Sequence, residues 1–102
     1  MVAYCDPVEL ELLRGSPANR RNSTRRVLHG TFPWVPVPDS AWERALETQD
    51  WLAETSQHAG ASVFDLVIAA TAEHHHLTVL HDDRDYEVIS RVTGLPTQRV
   101  ID

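Results

Sequence analysis

The sequence predicts a single α/β domain built on a small, mainly parallel sheet. Two observations support this class. Short apolar segments with strand character alternate with longer segments of helical periodicity along the 102 residues. One helical segment, SVFDLVIAATAEHHH, is apolar nearly all the way round, which is typical of a helix covered on most sides. Such alternation indicates a layered fold in which helices cover a parallel sheet.

The first third of the chain is predicted to be mostly helical. Pro7 suits the start of a short helix, VELELLRG, which stops at Gly15. A polar helix restarts at Ser16-Pro17 and runs to about Leu28. The segment WVPVPDS then reads as a short strand interrupted by prolines.

The next helix is predicted from about Ala41 to His58, with Asp39 or Ser40 as its N-cap. Five residues at helical spacing form the stripe expected to face the core: Trp42, Ala45, Leu46, Gln49 and Leu52. After the apolar helix, LTVLH is predicted to be a buried strand and DRDYEVISRVTG an amphipathic helix that ends at Gly94. QRVI is predicted to be the last strand.

Composition excludes several classes of protein. An apolar share of 42% is ordinary for a globular domain, and no run approaches the roughly 18 apolar residues of a membrane span. A single cysteine, Cys5, fits a reducing compartment, so we expect a soluble cytoplasmic protein. The net charge of −6 argues against nucleic-acid binding by bulk electrostatics.

The charge is nevertheless unevenly distributed. The five charged residues from Arg14 to Arg26 are all arginines, whereas the later segments are acidic. A basic arm beside an acidic cluster suits a metal-dependent nuclease, with cations for phosphates and carboxylates for the metal. A solvated arginine-rich helix face explains the same composition equally well.

Asp65 is the first candidate for chemistry, because a carboxylate within VFDLVIAA is costly to bury without a metal, a cation or several donors. An alternative is that Ser62 and Asp65 form an N-terminal capping box. The second candidate is the acidic cluster Asp82, Asp83 and Asp85 after the strand LTVLH. Its oxygen ligands suit Mg²⁺ or Mn²⁺, although solvated turn residues and a helix cap remain an alternative.

Other residues carry weaker signals. Glu9 and Glu11 lie on the first helix, where glutamates are mostly exposed to solvent. The three consecutive residues from His74 to His76 point about 100° apart on a helix and cannot face one zinc ion together. Cys5 has no evident partner for nucleophilic catalysis.

Four segments follow one another along the chain: ELLRG, DLVIAATA, LTVLHDDRDYEVI and VTGLP. Together they resemble the PIN-domain family, and most closely the VapC toxins of bacterial toxin–antitoxin pairs. The resemblance implies a three-layer α/β/α domain whose strand ends gather carboxylates around Mg²⁺ or Mn²⁺. By motif position it implies a catalytic and metal-binding set of Glu11, Asp65, Asp83 and Asp85, with Asp82 outside it. Arg14, Arg20 and Arg21 become candidates for contacts with the RNA backbone.

The family's domain opens with an apolar strand that ends in an aspartate, and no such strand precedes Asp6. Residues 1–102 are therefore expected to represent roughly the C-terminal two-thirds of the domain. The expected function is that of a metal-dependent endoribonuclease toxin with an RNA substrate, a VapB-type antitoxin partner and a homodimeric state. The alternatives are a catalytically inactive module that binds antitoxin or RNA, and a non-functional gene remnant.

Overall fold

The structure is a computed structural model that describes residues 2–57, 60–81 and 84–100. Within these ranges five helices and two strands follow one another, with a 3₁₀ turn at Ala18–Arg20. They are α1 (Asp6–Arg14), α2 (Arg21–Thr31), α3 (Ser40–Glu54), α4 (Val63–His74), β1 (Val79–His81), α5 (Arg84–Thr93) and β2 (Thr97–Arg99). The predicted α/β class with a small parallel sheet is confirmed.

The described residues form one two-stranded parallel sheet and one isolated parallel bridge. β1 pairs with β2 in a register that places Val79 opposite Thr97, and α5 is the crossover between the two strands. Elsewhere, Tyr4 and Trp34 form an isolated parallel bridge. The strand predicted in WVPVPDS reduces to this bridge, since prolines lack the N–H that a longer ladder needs.

Helix α4 lies at the centre of the core, as its composition predicts. It packs against α1, α3 and α5. Its buried residues occupy most of its circumference: Leu66, Val67, Ala69, Ala70, Thr71 and Ala72. Leu52 of α3 and Ile89 of α5 are fully buried in the same core cluster.

The buried face of helix α3 differs from the predicted stripe. Trp42 and Leu46 are 57% and 63% exposed, so the prediction that they face the core is wrong. The buried residues of α3 are instead Ala41, Ala45, Thr48 and Leu52, which follow one another at helical spacing. Small residues on this face let α3 approach α4 closely, which hydrophobicity alone does not reveal.

Two further features concern the limits of α3 and the length of the helices. Asp39 is the N-cap of α3, but its side chain forms no cap hydrogen bond. The helix ends at Glu54, four residues before the predicted end at His58, which lies outside the described residues. Among the described residues, no helix is both long and apolar enough to cross a membrane.

Candidate functional site

The first turn of α4 carries Asp65. Ser62 is the N-cap of this helix in extended conformation, and its hydroxyl accepts a hydrogen bond from the backbone N–H of Asp65 at 3.1 Å. The serine half of the predicted capping box is therefore present. Within the described residues, the half-buried Asp65 carboxylate has no hydrogen bond or ion pair. Capping consequently uses the backbone of Asp65 and leaves its carboxylate available for a ligand.

The carboxyl end of β1 leads into the predicted acidic loop. His81 ends the strand and is buried, with its ring 5.4 Å from that of Tyr86 on α5. Asp82 and Asp83 lie outside the described residues. Asp85 is half-buried in the first turn of α5.

The segment before α4 comes close to Asp85. A Cβ added at Gly60 would lie 3.5 Å from Oδ1 of Asp85. Only Ala61 separates this glycine from the N-cap Ser62. The starts of α4 and α5 are therefore neighbours, and each carries one of the predicted site carboxylates.

Glu11 lies on α1, which also packs against α4. Its half-buried carboxylate accepts a hydrogen bond from Arg14 at 3.3 Å, and the arginine side chain is 78% exposed. Such an ion pair at the surface breaks at little free-energy cost. Arg20 and Arg21 are exposed on the 3₁₀ turn and at the start of α2.

Glu9 is a second case in which the predicted exposure is wrong. It was expected to face solvent, yet it is 8% exposed. Its carboxylate accepts a hydrogen bond from Arg25 Nε at 2.7 Å and lies 2.8 Å from His29 Nε2. These bonds, above all the one from His29, lower the pKa of Glu9. The signal in the sequence was the arginine and histidine four residues apart on one face of α2.

One of the basic residues is therefore structural. Arg25 joins α2 to α1 through Glu9, whereas Arg14, Arg20 and Arg21 keep exposed side chains or weak partners. The composition of the arginine-rich segment does not show which arginine binds another helix and which remain exposed. The three arginines predicted to contact RNA are not those that hold α2 in place.

The predicted site residues come from elements that pack around α4, but the described part of the chain does not form a complete metal site. Among the described residues, no three His, Cys, Asp or Glu side chains lie together in an arrangement that could hold a metal ion. The three consecutive histidines that begin at the last residue of α4, His74, do not form a metal-binding group within the described residues either. The ring of His75 donates from Nε2 to the carbonyl oxygen of Pro36 at 2.8 Å, since a carbonyl can only accept.

The donor chemistry of the candidate site is uniform. Asp65, Asp85 and Glu11 offer only carboxylate oxygens, which are hard ligands suited to Mg²⁺ or Mn²⁺ rather than to zinc. Asp65 and Asp85 each stand at a helix N-terminus, where the helix dipole favours a negative charge.

Comparisons with known proteins match the chain to one family. The PIN domain family matches residues 2–92. Ribonuclease VapC21 of Mycobacterium tuberculosis (strain CDC 1551 / Oshkosh) is 36% identical over 106 residues, which cover 99% of this chain and 74% of that protein. Ribonuclease VapC6 of the same strain is 38% identical over 100 residues, covering 97% and 77%.

Solved structures give the same fold. The crystal structure of VapBC-5 from Mycobacterium tuberculosis, a member of the VapBC family of toxin-antitoxin systems, matches with a TM-score of 0.73. Its sequence identity is 24%, and the match covers 97% of this chain and 82% of that one. Since the family match covers residues 2–92 and VapC21 aligns with nearly the whole sequence, this chain belongs to the PIN-domain family.

Proposed function

We propose that this chain is the toxin of a VapC-type toxin–antitoxin pair, a metal-dependent endoribonuclease that hydrolyses RNA phosphodiester bonds. The observation that carries the proposal is the Asp65 carboxylate, which is held in the first turn of α4 without a hydrogen bond or ion pair within the described residues. The kinship with proteins named ribonucleases supports the same activity.

The catalytic set consists of four carboxylates. Asp65 and Asp83 are the proposed direct metal ligands, and Asp85 and Glu11 are ligands or groups that orient water. Asp65 and Asp85 stand at the neighbouring starts of α4 and α5, and Glu11 is on α1, which packs against α4. Asp83 lies outside the described residues, and in the sequence it stands two residues after His81, the last residue of β1.

The donors fit a hard divalent cation in their chemistry, and Asp83 is needed to complete the set because the described residues alone provide no group of three. A bound Mg²⁺ or Mn²⁺ would supply Lewis acidity and lower the pKa of water. The protein's own contribution is to hold the carboxylates of Glu11, Asp65 and Asp85 on helices α1, α4 and α5. Exposed Arg14, with Arg20 and Arg21, would bind the phosphates of the RNA backbone.

The proposed partners follow from the same identity. A VapB-type antitoxin would bind the toxin, and the toxin would be a homodimer in the cytoplasm. Support for the antitoxin is the fold shared with the VapBC-5 complex. An acidic site favours a partner segment that carries basic side chains.

Thermal unfolding with added Mn²⁺ tests the metal site. An ion that binds only the folded state at 100 times its Kd should stabilise the protein by about 2.7 kcal/mol. The Asp65→Asn, Asp83→Asn double variant should lose this response and Mg²⁺-dependent RNA cleavage. Asp50→Asn, an exposed position on α3, is the matched control and should keep both. Equal metal responses in the double variant and the wild type would refute the site.

A second candidate is a catalytically inactive module that binds antitoxin or RNA. The observation that favours it is the lack of a three-ligand group among the residues that the structure describes. A folded protein that binds antitoxin or RNA but shows no metal response and no cleavage would establish this alternative. Cleavage that EDTA abolishes would exclude it.

A further inference from the structure

Trp34 is a large aromatic residue that the fold holds in place but does not bury. It is 52% exposed. Its backbone is fixed by the parallel bridge to Tyr4, whose N–H donates to Pro33 at 3.0 Å and whose carbonyl accepts from Val35 at 2.8 Å. Its indole Nε1 donates to Oδ1 of Asp6 at 2.9 Å. The backbone and the ring are therefore both anchored, while about half of the residue faces solvent.

The hydrogen bond to Asp6 decides which chemistry the indole can offer to a ligand. An indole has one polar group, its N–H donor, and in Trp34 this donor is used. What remains is aromatic surface, which favours a ligand with a flat aromatic face over a ligand that needs a hydrogen bond. Because the ring is already oriented, little conformational freedom is lost when a ligand stacks on it.

The indole lies beside the C-terminal end of α2. Residues that pair across parallel strands direct their side chains to the same face of the sheet. On that face the ring of Tyr4 stacks on the ring of His29 in α2, with 5.7 Å between the centroids and 8° between the planes. Phe32, which is 37% exposed, is the C-cap of α2 and precedes Trp34 by two residues. Trp34 is thus a neighbour of His29 at the end of this helix.

The basic face of α2, formed by Arg21, Arg25 and His29, leads to the indole. These residues are four positions apart, so they follow one another on one side of the helix at steps of about 6 Å. Arg21 is exposed, and the side chains of Arg25 and His29 are 47% and 46% exposed. Arg25 binds Glu9 through Nε, and in the described part of the chain its terminal nitrogens form no hydrogen bond, so they can donate to a phosphate.

The charges around the indole favour a polyanion. All five charged residues of the segment 14–26 are arginines. Two carboxylates at the start of α1 are already bound, Asp6 by the indole and Glu9 by α2. Proteins that bind single-stranded nucleic acid combine a row of cations, which follows the phosphates, with aromatic side chains on which bases stack. An apolar peptide would use the indole but not the arginines.

We propose that Trp34 and the basic face of α2 form a binding site for single-stranded RNA, in which a base stacks on the indole and the adjoining phosphates follow α2. The proposal rests on the RNA substrate of the function proposed above, but not on metal binding or cleavage. Asp6 is a positioning residue, because it orients the indole. The site should accept unpaired RNA with little sequence preference, since every base has an aromatic face.

Binding of an oligoadenylate of about ten nucleotides to the full chain in EDTA, followed by fluorescence anisotropy, tests the stacking. Trp34→Ala should weaken binding at least fivefold, because stacking of one base on an aromatic side chain changes affinity by roughly 5- to 150-fold. Trp42→Ala is the matched control, since Trp42 is 57% exposed on the acidic helix α3, and it should bind RNA like the wild type. Wild-type RNA affinity in Trp34→Ala overturns the proposal, as does a wild type that does not bind the oligoadenylate at low salt.

Inorganic polyphosphate separates stacking from charge, because it carries phosphates without bases. Trp34→Ala should bind polyphosphate as the wild type does. An equal loss of affinity for polyphosphate and for oligoadenylate overturns the proposal.

Trp34→Leu is the second variant, should Trp34→Ala fail to fold. It keeps apolar bulk without an aromatic face, so it should also weaken RNA binding at least fivefold, whereas Trp34→Phe should restore part of the affinity. Asp6→Ala should weaken binding less than Trp34→Ala does, because the indole is released and not removed. Asp6→Asn keeps an acceptor oxygen and should bind at least as tightly as the wild type. Wild-type affinity in folded Trp34→Leu overturns the stacking site, and equal losses in the two Asp6 variants overturn the positioning role.

The salt dependence of binding tests the basic face of α2. Each phosphate contact with a single strand contributes about 0.7 to the slope of log K against log salt concentration. Arg21→Ala should lower this slope by about that amount for the oligoadenylate. Arg26→Ala is the control, since Arg26 is exposed but turned by about 100° from Arg25, and it should leave the slope unchanged. Equal changes of slope in the two variants overturn the placement of RNA on this face.

The measurements distinguish this site from the proposed nuclease site. RNA binding that depends on Trp34, in a chain without a Mn²⁺ response, would refute the metal site and support the RNA site. Metal-dependent cleavage by a chain whose RNA binding does not depend on Trp34 would do the reverse. A Trp34→Ala chain that binds RNA normally but changes from dimer to monomer in light scattering would overturn the proposal and assign the indole to a contact between copies.

Discussion

Replacing Glu9 with glutamine should destabilise the fold more than the same change at Glu11, two residues further along α1. Glu9 is 8% exposed and binds both Arg25 and His29 of α2, at 2.7 and 2.8 Å. The glutamine side chain has nearly the same size but no charge. The change therefore isolates the electrostatic part of the α1–α2 contact.

The expected loss follows from the two bonds. A hydrogen bond to a charged group contributes about 1.5 to 3 kcal/mol when it is shielded from solvent. The side chains of Arg25 and His29 are 47% and 46% exposed, so solvent screening reduces each contribution to about 1 kcal/mol. Glu9→Gln should thus cost about 2 kcal/mol. For a domain of this size that is a fall in melting temperature of about 10 °C.

Glu11→Gln is the matched control, because the ion pair of Glu11 is with Arg14, whose side chain is 78% exposed. Its loss should cost less than about 0.5 kcal/mol in buffer that contains EDTA. Chemical denaturation of the two variants at pH 7 is the assay. Equal losses in the two variants would refute the reasoning.

The pH dependence gives an independent check. Hydrogen bonds from His29 and Arg25 lower the pKa of Glu9 in the folded state. A carboxyl with a lowered pKa stabilises the fold above its unfolded pKa, about 4.3, and this stability is lost as pH falls through the folded pKa. The difference between wild type and Glu9→Gln should therefore persist at pH 5 and shrink in more acidic buffer. A difference that stays constant to pH 2 would contradict the assignment.

Three further predictions concern local structure. Gly94 has a φ of 75°, so Gly94→Ala should destabilise the fold by about 1 kcal/mol or more. Gly30 lies in helix α2, where an added Cβ meets nothing within 4 Å, so Gly30→Ala should stabilise the fold by about 0.5 to 1 kcal/mol. Thermal denaturation measures both changes. Ser62→Ala should cost about 1 kcal/mol in urea denaturation by removing the cap of α4, and Asp39→Ala, whose side chain forms no cap bond, should cost much less. Arg44→Lys should cost about 1 kcal/mol at neutral pH, because a lysine cannot reproduce the two hydrogen bonds of 2.7 and 3.0 Å that Arg44 donates to the carboxylate of Glu73 on α4. Urea denaturation should show this loss in both 0.1 and 1 M salt, since the Arg44 side chain is only 28% exposed.

The sequence predicted those elements whose physical cause is local. The apolar composition of α4 is nearly continuous, so its burial does not depend on which face is chosen. Ser62 caps α4 as its spacing from Asp65 predicted. Gly94 adopts a positive φ directly after α5, as its predicted role at the helix end requires.

The sequence did not predict features that depend on which elements meet. The apolar stripe through Trp42 and Leu46 was plausible by periodicity, yet α3 turns its smaller residues to α4 because close helix packing favours them. The burial of Glu9 depends on the approach of α2, which no local pattern encodes. Tertiary contacts decide such cases, because a helix with two partly apolar faces is compatible with either orientation.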